Sequence, residues 1–132
     1  MRPALMCRAR LPSGQTAFCG NGDVPAPMLA TIHLDAGEAE RVLERLLDNI
    51  ATLLARHVVH GDLSAYNVLY WQGQPMIIDF PQAVDARVNP NACLLLARDV
   101  ASLCRYFARQ GVACDPVDIA DDLWRRYMHA RL

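Results

Sequence analysis

Two carboxylates and an amide are spaced through the middle of this chain in a way that suits the handling of a phosphate group. Asp62 and Asn67 lie in H-G-D-L-S-A-Y-N at 60–67, and Asp79 lies in I-I-D-F-P-Q at 77–82. Transfer of a terminal phosphoryl group asks for little covalent chemistry from a protein. It needs an acceptor hydroxyl held in line and the phosphate charge neutralised. A carboxylate beside the acceptor can take its proton, and Asp62 is placed for that role. Mg²⁺ takes oxygen ligands, often only one or two of them from protein. Asn67 offers an amide oxygen five residues after Asp62, and Asp79 offers a carboxylate twelve residues further on. The pattern points to ATP, or a similar nucleoside triphosphate, used with Mg²⁺. Against it stands an absence: the chain has no lysine, and its 13 basic residues are all Arg. Kinases grip the nucleotide phosphates with a lysine.

The elements that must position these groups can be read from spacing. Asp35 is a candidate N-cap with Glu38 three residues later, the spacing of a capping box. Val42, Leu43, Leu46, Leu47, Ile50, Leu53 and Leu54 then recur at helical steps, with Arg41, Glu44, Arg45, Asp48 and Arg56 on the other face. This predicts a helix over 36–56. Val58 and Val59 lead into His60. Two β-like runs, 68–71 and 76–79, flank a turn at Gln72-Gly73-Gln74 and form a hairpin. That hairpin would fold Asn67 and Asp79 toward one metal ion. A loop over 80–91 follows, then a helix over 92–110 stopped by Gly111. Asp115-Pro116 opens a third helix carrying Ile119, Leu123, Trp124 and Tyr127. Beside the motif, Tyr66 and Trp71 read as packing residues, and His57 as a helix C-terminal residue facing the dipole. Asp99 either anchors the 60–67 loop or faces water. Asp118, Asp121 and Asp122 read as a charged face; Arg125 and Arg126 have no assigned task.

Composition sets outer bounds. A chain of 132 residues that is 53% hydrophobic is expected to form one globular domain. The net charge of −1 gives no broad basic field for nucleic acid. No apolar run approaches the roughly 20 residues of a membrane span, and there is no signal-peptide pattern, so a cytoplasmic protein is expected. The five cysteines are odd in number and none forms C-x-x-C, so they read as reduced apolar thiols rather than disulfides or zinc ligands.

The motif segment resembles the RIO family of atypical protein kinases. The resemblance rests on H-G-D-L-S-A-Y-N at 60–67, I-I-D-F-P-Q-A-V at 77–84, N-P-N-A at 89–92, Arg98-Asp99, and G-D-V-P-A-P-M-L at 22–29. It covers about residues 18–112. The H-G-D…N…I-D frame alone is shared with aminoglycoside and choline phosphotransferases; Ser64, Tyr66 and F-P-Q move the match to RIO kinases. The resemblance implies an α+β, mainly helical fold: a protein-kinase-like C-terminal lobe over 18–132, with a small β-hairpin between the catalytic and metal-binding loops. Residues 1–17 stay unassigned. It implies a serine/threonine kinase or ATPase in which Asp62 is catalytic and Asn67 and Asp79 hold the metal. Ser64 would position the loop at the nucleotide site, and His60 would be structural. Asp79 would also accept phosphate as a phospho-aspartate. The acceptor would be a protein or the chain itself, and the family carries a link to ribosome maturation.

The departures shape a further expectation. The family's upper lobe is a β-sheet with a phosphate-covering loop and a lysine, and about 17 residues cannot supply it. Arg is not equivalent to a point-charge lysine. Weak nucleotide binding is therefore expected, from a truncated gene, a misplaced start or a lower-lobe remnant. Two alternatives stand beside the kinase: a non-catalytic remnant that binds a protein partner, and an aminoglycoside-type phosphotransferase.

Overall fold

The computed structural model describes residues 26–132. The 1–17 segment, most of the G-D-V-P motif, Cys7 and Cys19 lie outside them. The described chain is α+β. Three helices, α1 (Ala36–Ala55), α2 (Ala92–Arg109) and α3 (Pro116–Met128), surround two small antiparallel pairs. Strand β1 (Val58–Val59) pairs with β4 (Val84–Asp85), and β2 (Val68–Trp71) pairs with β3 (Gln74–Ile77). None of the described helices is long and apolar enough to cross a membrane.

Helix α1 starts where the capping signal predicts. The Asp35 carboxylate accepts the Glu38 backbone N–H at 2.8 Å, satisfying an otherwise orphaned helix donor. The Glu38 carboxylate accepts the Tyr70 hydroxyl, which ties the helix start to β2. Val42, Leu46 and Leu54 are buried in the core beneath. The expected division of faces fails at Arg45, and Asn49, which had no assigned face, joins it. Arg45 is half-buried and donates to the Gly73 carbonyl; Asn49 is buried and donates to the Pro75 carbonyl at 3.5 Å. One helical turn apart, they hold the hairpin against α1 by backbone oxygens that the strand ladder leaves over.

The hairpin differs from expectation by two residues. Its turn is Gln72-Gly73 alone, both at positive φ (49° and 80°), the requirement of a tight type I′ connection. Trp71 therefore pairs with Gln74 and Val68 with Ile77, and the ladder ends two residues before Asp79. Strand β4 falls inside the expected 80–91 loop. Two residues are too few to show an alternating pattern.

Helix α2 ends as Gly111 predicts. Gly111 takes φ +89°, with Gly111 N–H on the Ala108 carbonyl (3.1 Å) and Val112 N–H on the Phe107 carbonyl (2.9 Å), a Schellman closure. Asp115 caps α3 through the N–H groups of Val117 and Asp118. His57 is not in the last turn of α1. It lies beyond it at φ +68°, with its ring nitrogen Nδ1 2.9 Å from the Tyr127 hydroxyl of α3. Among the described cysteines, Cys104 and Cys114 bring their sulfurs to 2.7 Å, and burial pushes the Cys104 thiol up in pKa.

Burial, reinforced by the acceptor Glu38, pushes the Tyr70 hydroxyl up to about 12 from an ordinary 10.0. A folded-state pKa above the unfolded one gives stability that is whole below pH 10 and lost as pH rises toward 12. Tyr70→Phe is expected to remove that alkaline loss. Urea midpoints at several pH values between 9 and 12 check it; parallel curves for parent and variant would refute the link.

Candidate active site

The 60–67 loop is held at the level of its peptide groups. His60 is buried, and its two ring nitrogens have fixed and opposite duties. Nδ1 accepts the Asp62 backbone N–H at 3.2 Å, so Nε2 carries the proton and donates to the Ile78 carbonyl at 2.9 Å. Its ring rests on Phe80, with centroids 4.8 Å apart. Asp99, 3% exposed on α2, accepts the N–H of Gly61 through Oδ2 and that of Leu63 through Oδ1, both at 2.9 Å. Three consecutive backbone donors, at 61, 62 and 63, are thus captured by two side chains. Asp99 is an anchor, which decides between the two readings open in the sequence. Burial raises its pKa, and the Leu63 and Gly61 donors oppose that rise.

Gly61 takes φ +88°, and a Cβ there would sit 2.6 Å from the Gln82 carbonyl oxygen. Only glycine fits the turn that brings the loop under the 80–82 segment. The following Asp62 side chain is exposed, while Leu63 is buried at 3%.

Ser64 and Asn67 complete the loop. The Ser64 hydroxyl accepts the Tyr66 N–H at 3.2 Å and caps a 3₁₀ turn at Ala65–Asn67. That turn delivers Asn67, whose Nδ2 donates to the Asp62 carbonyl at 2.6 Å. With the amide nitrogen committed there, Oδ1 is the end left as an acceptor. The Asp62 residue is then fixed on both sides, its N–H by His60 and its C=O by Asn67.

The same frame reaches Asp79. The Ile78 N–H donates to the Asn67 carbonyl at 2.9 Å, and the Ile78 carbonyl takes the His60 proton. Asp79 follows at φ +61°, half-buried, in the left-handed region that Asp and Asn tolerate better than other non-glycine residues. All four sequence candidates, Asp62, Ser64, Asn67 and Asp79, therefore stand on one hydrogen-bonded backbone frame. Tyr66 departs from expectation: it is 66% exposed beside Asn67 instead of packed. Ala65 fills the inward place of that short turn. The anchoring role of Asp99 had a signal in the sequence. Its carboxylate sits on the apolar stripe of Leu96, Val100 and Leu103, where a charge needs partners.

Residues 16–120 match the family model of the RIO domain. The RIO-type serine/threonine-protein kinase Rio1 of Thermoplasma acidophilum is 31% identical over 105 residues, 80% of this chain and 53% of that protein. The protein of the same name from Methanocaldococcus jannaschii is 34% identical over 103 residues, 77% of this chain and 34% of its own length. Human serine/threonine-protein kinase RIO1 is 33% identical over 98 residues, 74% of this chain and 17% of its own length. The chain spans about half the length of the first of these relatives and less of the other two.

Asp99→Asn would turn an amide donor toward one of the two N–H groups it now accepts. The expected cost is about 1–3 kcal/mol of stability, with faster hydrogen exchange at the Gly61 and Leu63 amides. Unchanged protection at both amides would show that the loop does not depend on this carboxylate.

Proposed function

This chain belongs to the RIO family of serine/threonine kinases, and from that premise we propose that it is the phosphoryl-transfer half of a RIO-type kinase or ATPase. The observation that carries the reading is the clamped peptide at Asp62. His60, Asp99 and Asn67 hold the backbone at 61–63 while the Asp62 carboxylate stays exposed. A base fixed through its main chain meets an acceptor without the cost of being ordered at that moment.

In this reading Asp62 orients the acceptor hydroxyl of a serine, a threonine or the chain itself, and takes its proton. The donor set beside it suits Mg²⁺ and ATP phosphates: an amide oxygen at Asn67 and a carboxylate at Asp79, hard oxygen ligands without sulfur or imidazole. Bound there, Mg²⁺ would neutralise charge on the phosphate oxygens. Asn67 serves the site twice, with Nδ2 on the loop and Oδ1 toward the ion. Ser64 acts through the loop, holding the turn that presents Asn67. Asp79 is also the carboxylate that could carry a phosphoryl group between turnovers. In this reading 18–132 is the kinase-like lobe, and its lysine-free residues do not themselves supply a lysine grip on the nucleotide.

Asp79→Asn keeps a residue that tolerates the left-handed backbone and removes the charge. It is expected to weaken Mg²⁺-dependent ATP binding by tenfold or more, on the order of 1.4 kcal/mol; equal affinity in calorimetry would sink the metal assignment. Asp62→Ala should lower phosphate transfer by roughly 10²–10⁴-fold and spare nucleotide binding. Full turnover by that variant would remove Asp62 from its role. No Mg²⁺-ATP binding by the parent would favour the second reading, a partner-binding lobe, which the lysine-free composition supports.

A further inference from the structure

Between the 60–67 loop and α2 lies a cleft of about 300 Å³, at the small end of ligand-sized pockets. One wall is backbone and side chain of Gly61 to Ser64; the other is the α2 face of Arg98, Ala101, Ser102 and Arg105. Those positions share a face because they are three, four and seven residues apart, and Ala101 leaves room between the two arginines. Asn67 and Asp79 are not among the walls. Asp62 itself lines the cleft, while Asn67, bonded to the Asp62 carbonyl, does not.

By formal charge the lining balances, Arg98 and Arg105 against Asp62 and Asp99; what stays open is the hydrogen-bonding capacity of the two guanidinium groups. Arg87, Arg125 and Arg126 each pair with a neighbouring aspartate. Arg98 and Arg105 are exposed and have no ion-pair partner among the described residues. Asp99 lines the same cleft, but both its oxygens are taken by the Gly61 and Leu63 N–H groups. That leaves Asp62 as the one lining carboxylate with oxygens open to two guanidinium forks, whose planar donors match a carboxylate or a phosphate in pairs. The Ser102 hydroxyl adds a neutral donor between them.

We propose that Arg98 and Arg105 form an anion subsite for the phosphate acceptor, so that the preferred acceptor is a protein segment with an acidic or phosphorylated side chain close to its reacting hydroxyl. The proposal rests on the reading of Asp62 as the acceptor-side base. A hydroxyl held at Asp62 would lay the flanking residues of its chain along the cleft, and an anionic one would meet the two arginines.

Binding tests the subsite without asking for catalysis. Fluorescently labelled serine peptides with flanking aspartates, with a flanking phosphoserine, or with neutral flanks are titrated with the parent and with Arg98→Gln/Arg105→Gln, without nucleotide. The parent is expected to hold an anionic peptide at least about tenfold tighter than the neutral one, and the variant to lose that margin while keeping the parent melting temperature. The tighter of the two anionic peptides identifies carboxylate or phosphate as the natural ligand. Equal binding of charged and neutral peptides by the parent, an undiminished margin in the variant, or a preference for a single-stranded RNA oligomer would overturn the proposal. Asp62→Ala separates the two readings. If it retains anionic-peptide binding but has parental phosphate transfer, the base assignment fails and the subsite stands. If transfer falls but no preference for anionic peptides exists, the subsite fails alone.

Discussion

A carboxylate buried under a loop organises this structure. Asp99 sits on the apolar face of α2, where an ionised group would be costly without partners, and the N–H groups of Gly61 and Leu63 supply them. The dependence runs both ways. The loop leaves the regular ladder of β1 at a glycine with positive φ, so its amides have no strand to bond. Had they been left dry, each would cost as much as a lost hydrogen bond. The loop therefore keeps its shape only where α2 is held in place. Phe107 and Leu103, essentially inaccessible to solvent, pin it.

From that anchor the rest of the site follows by main-chain geometry. His60 spans from the Asp62 amide to the Ile78 carbonyl, and Asn67 closes the circuit through its own backbone and side chain. The hairpin is held separately, by Arg45 and Asn49 of α1. Two helices thus grip the two halves of the site, α2 the loop and α1 the hairpin. A relative shift of the helices would be felt at Asp62 and Asp79 together. Beside Asp62, the loop and α2 enclose a cleft lined by Arg98 and Arg105.

Much of this was legible in the sequence, for reasons that differ between elements. The helices announced themselves through long apolar stripes and local caps at Asp35, Asp115 and Gly111, whose physics does not depend on distant residues. The motif residues stood out because carboxylate and amide oxygens at that spacing suit phosphate chemistry. What escaped was set by partners far along the chain. The strand register was decided by a two-residue turn, so β3 ended before Asp79. The β1–β4 pair is too short to leave a pattern. Arg45 looked like a surface residue and Asn49 drew no reading, because nothing local reveals that spare hairpin carbonyls lie above them. Tyr66 looked like core by its type alone, yet the three-residue turn had only one inward place and Ala65 took it.

The backbone at Asp79 has a consequence for how such a site can evolve. Its left-handed φ restricts the position to the few side chains that accept it without much strain, chiefly glycine, asparagine and aspartate. Of these, only aspartate brings a charge. Chemistry and conformation are thus written into one residue, and drift there has a narrow exit. A single step to asparagine removes that charge and keeps a side chain that the left-handed backbone accepts. A lineage could therefore lose the carboxylate here in one mutation without the backbone strain that most other replacements would bring.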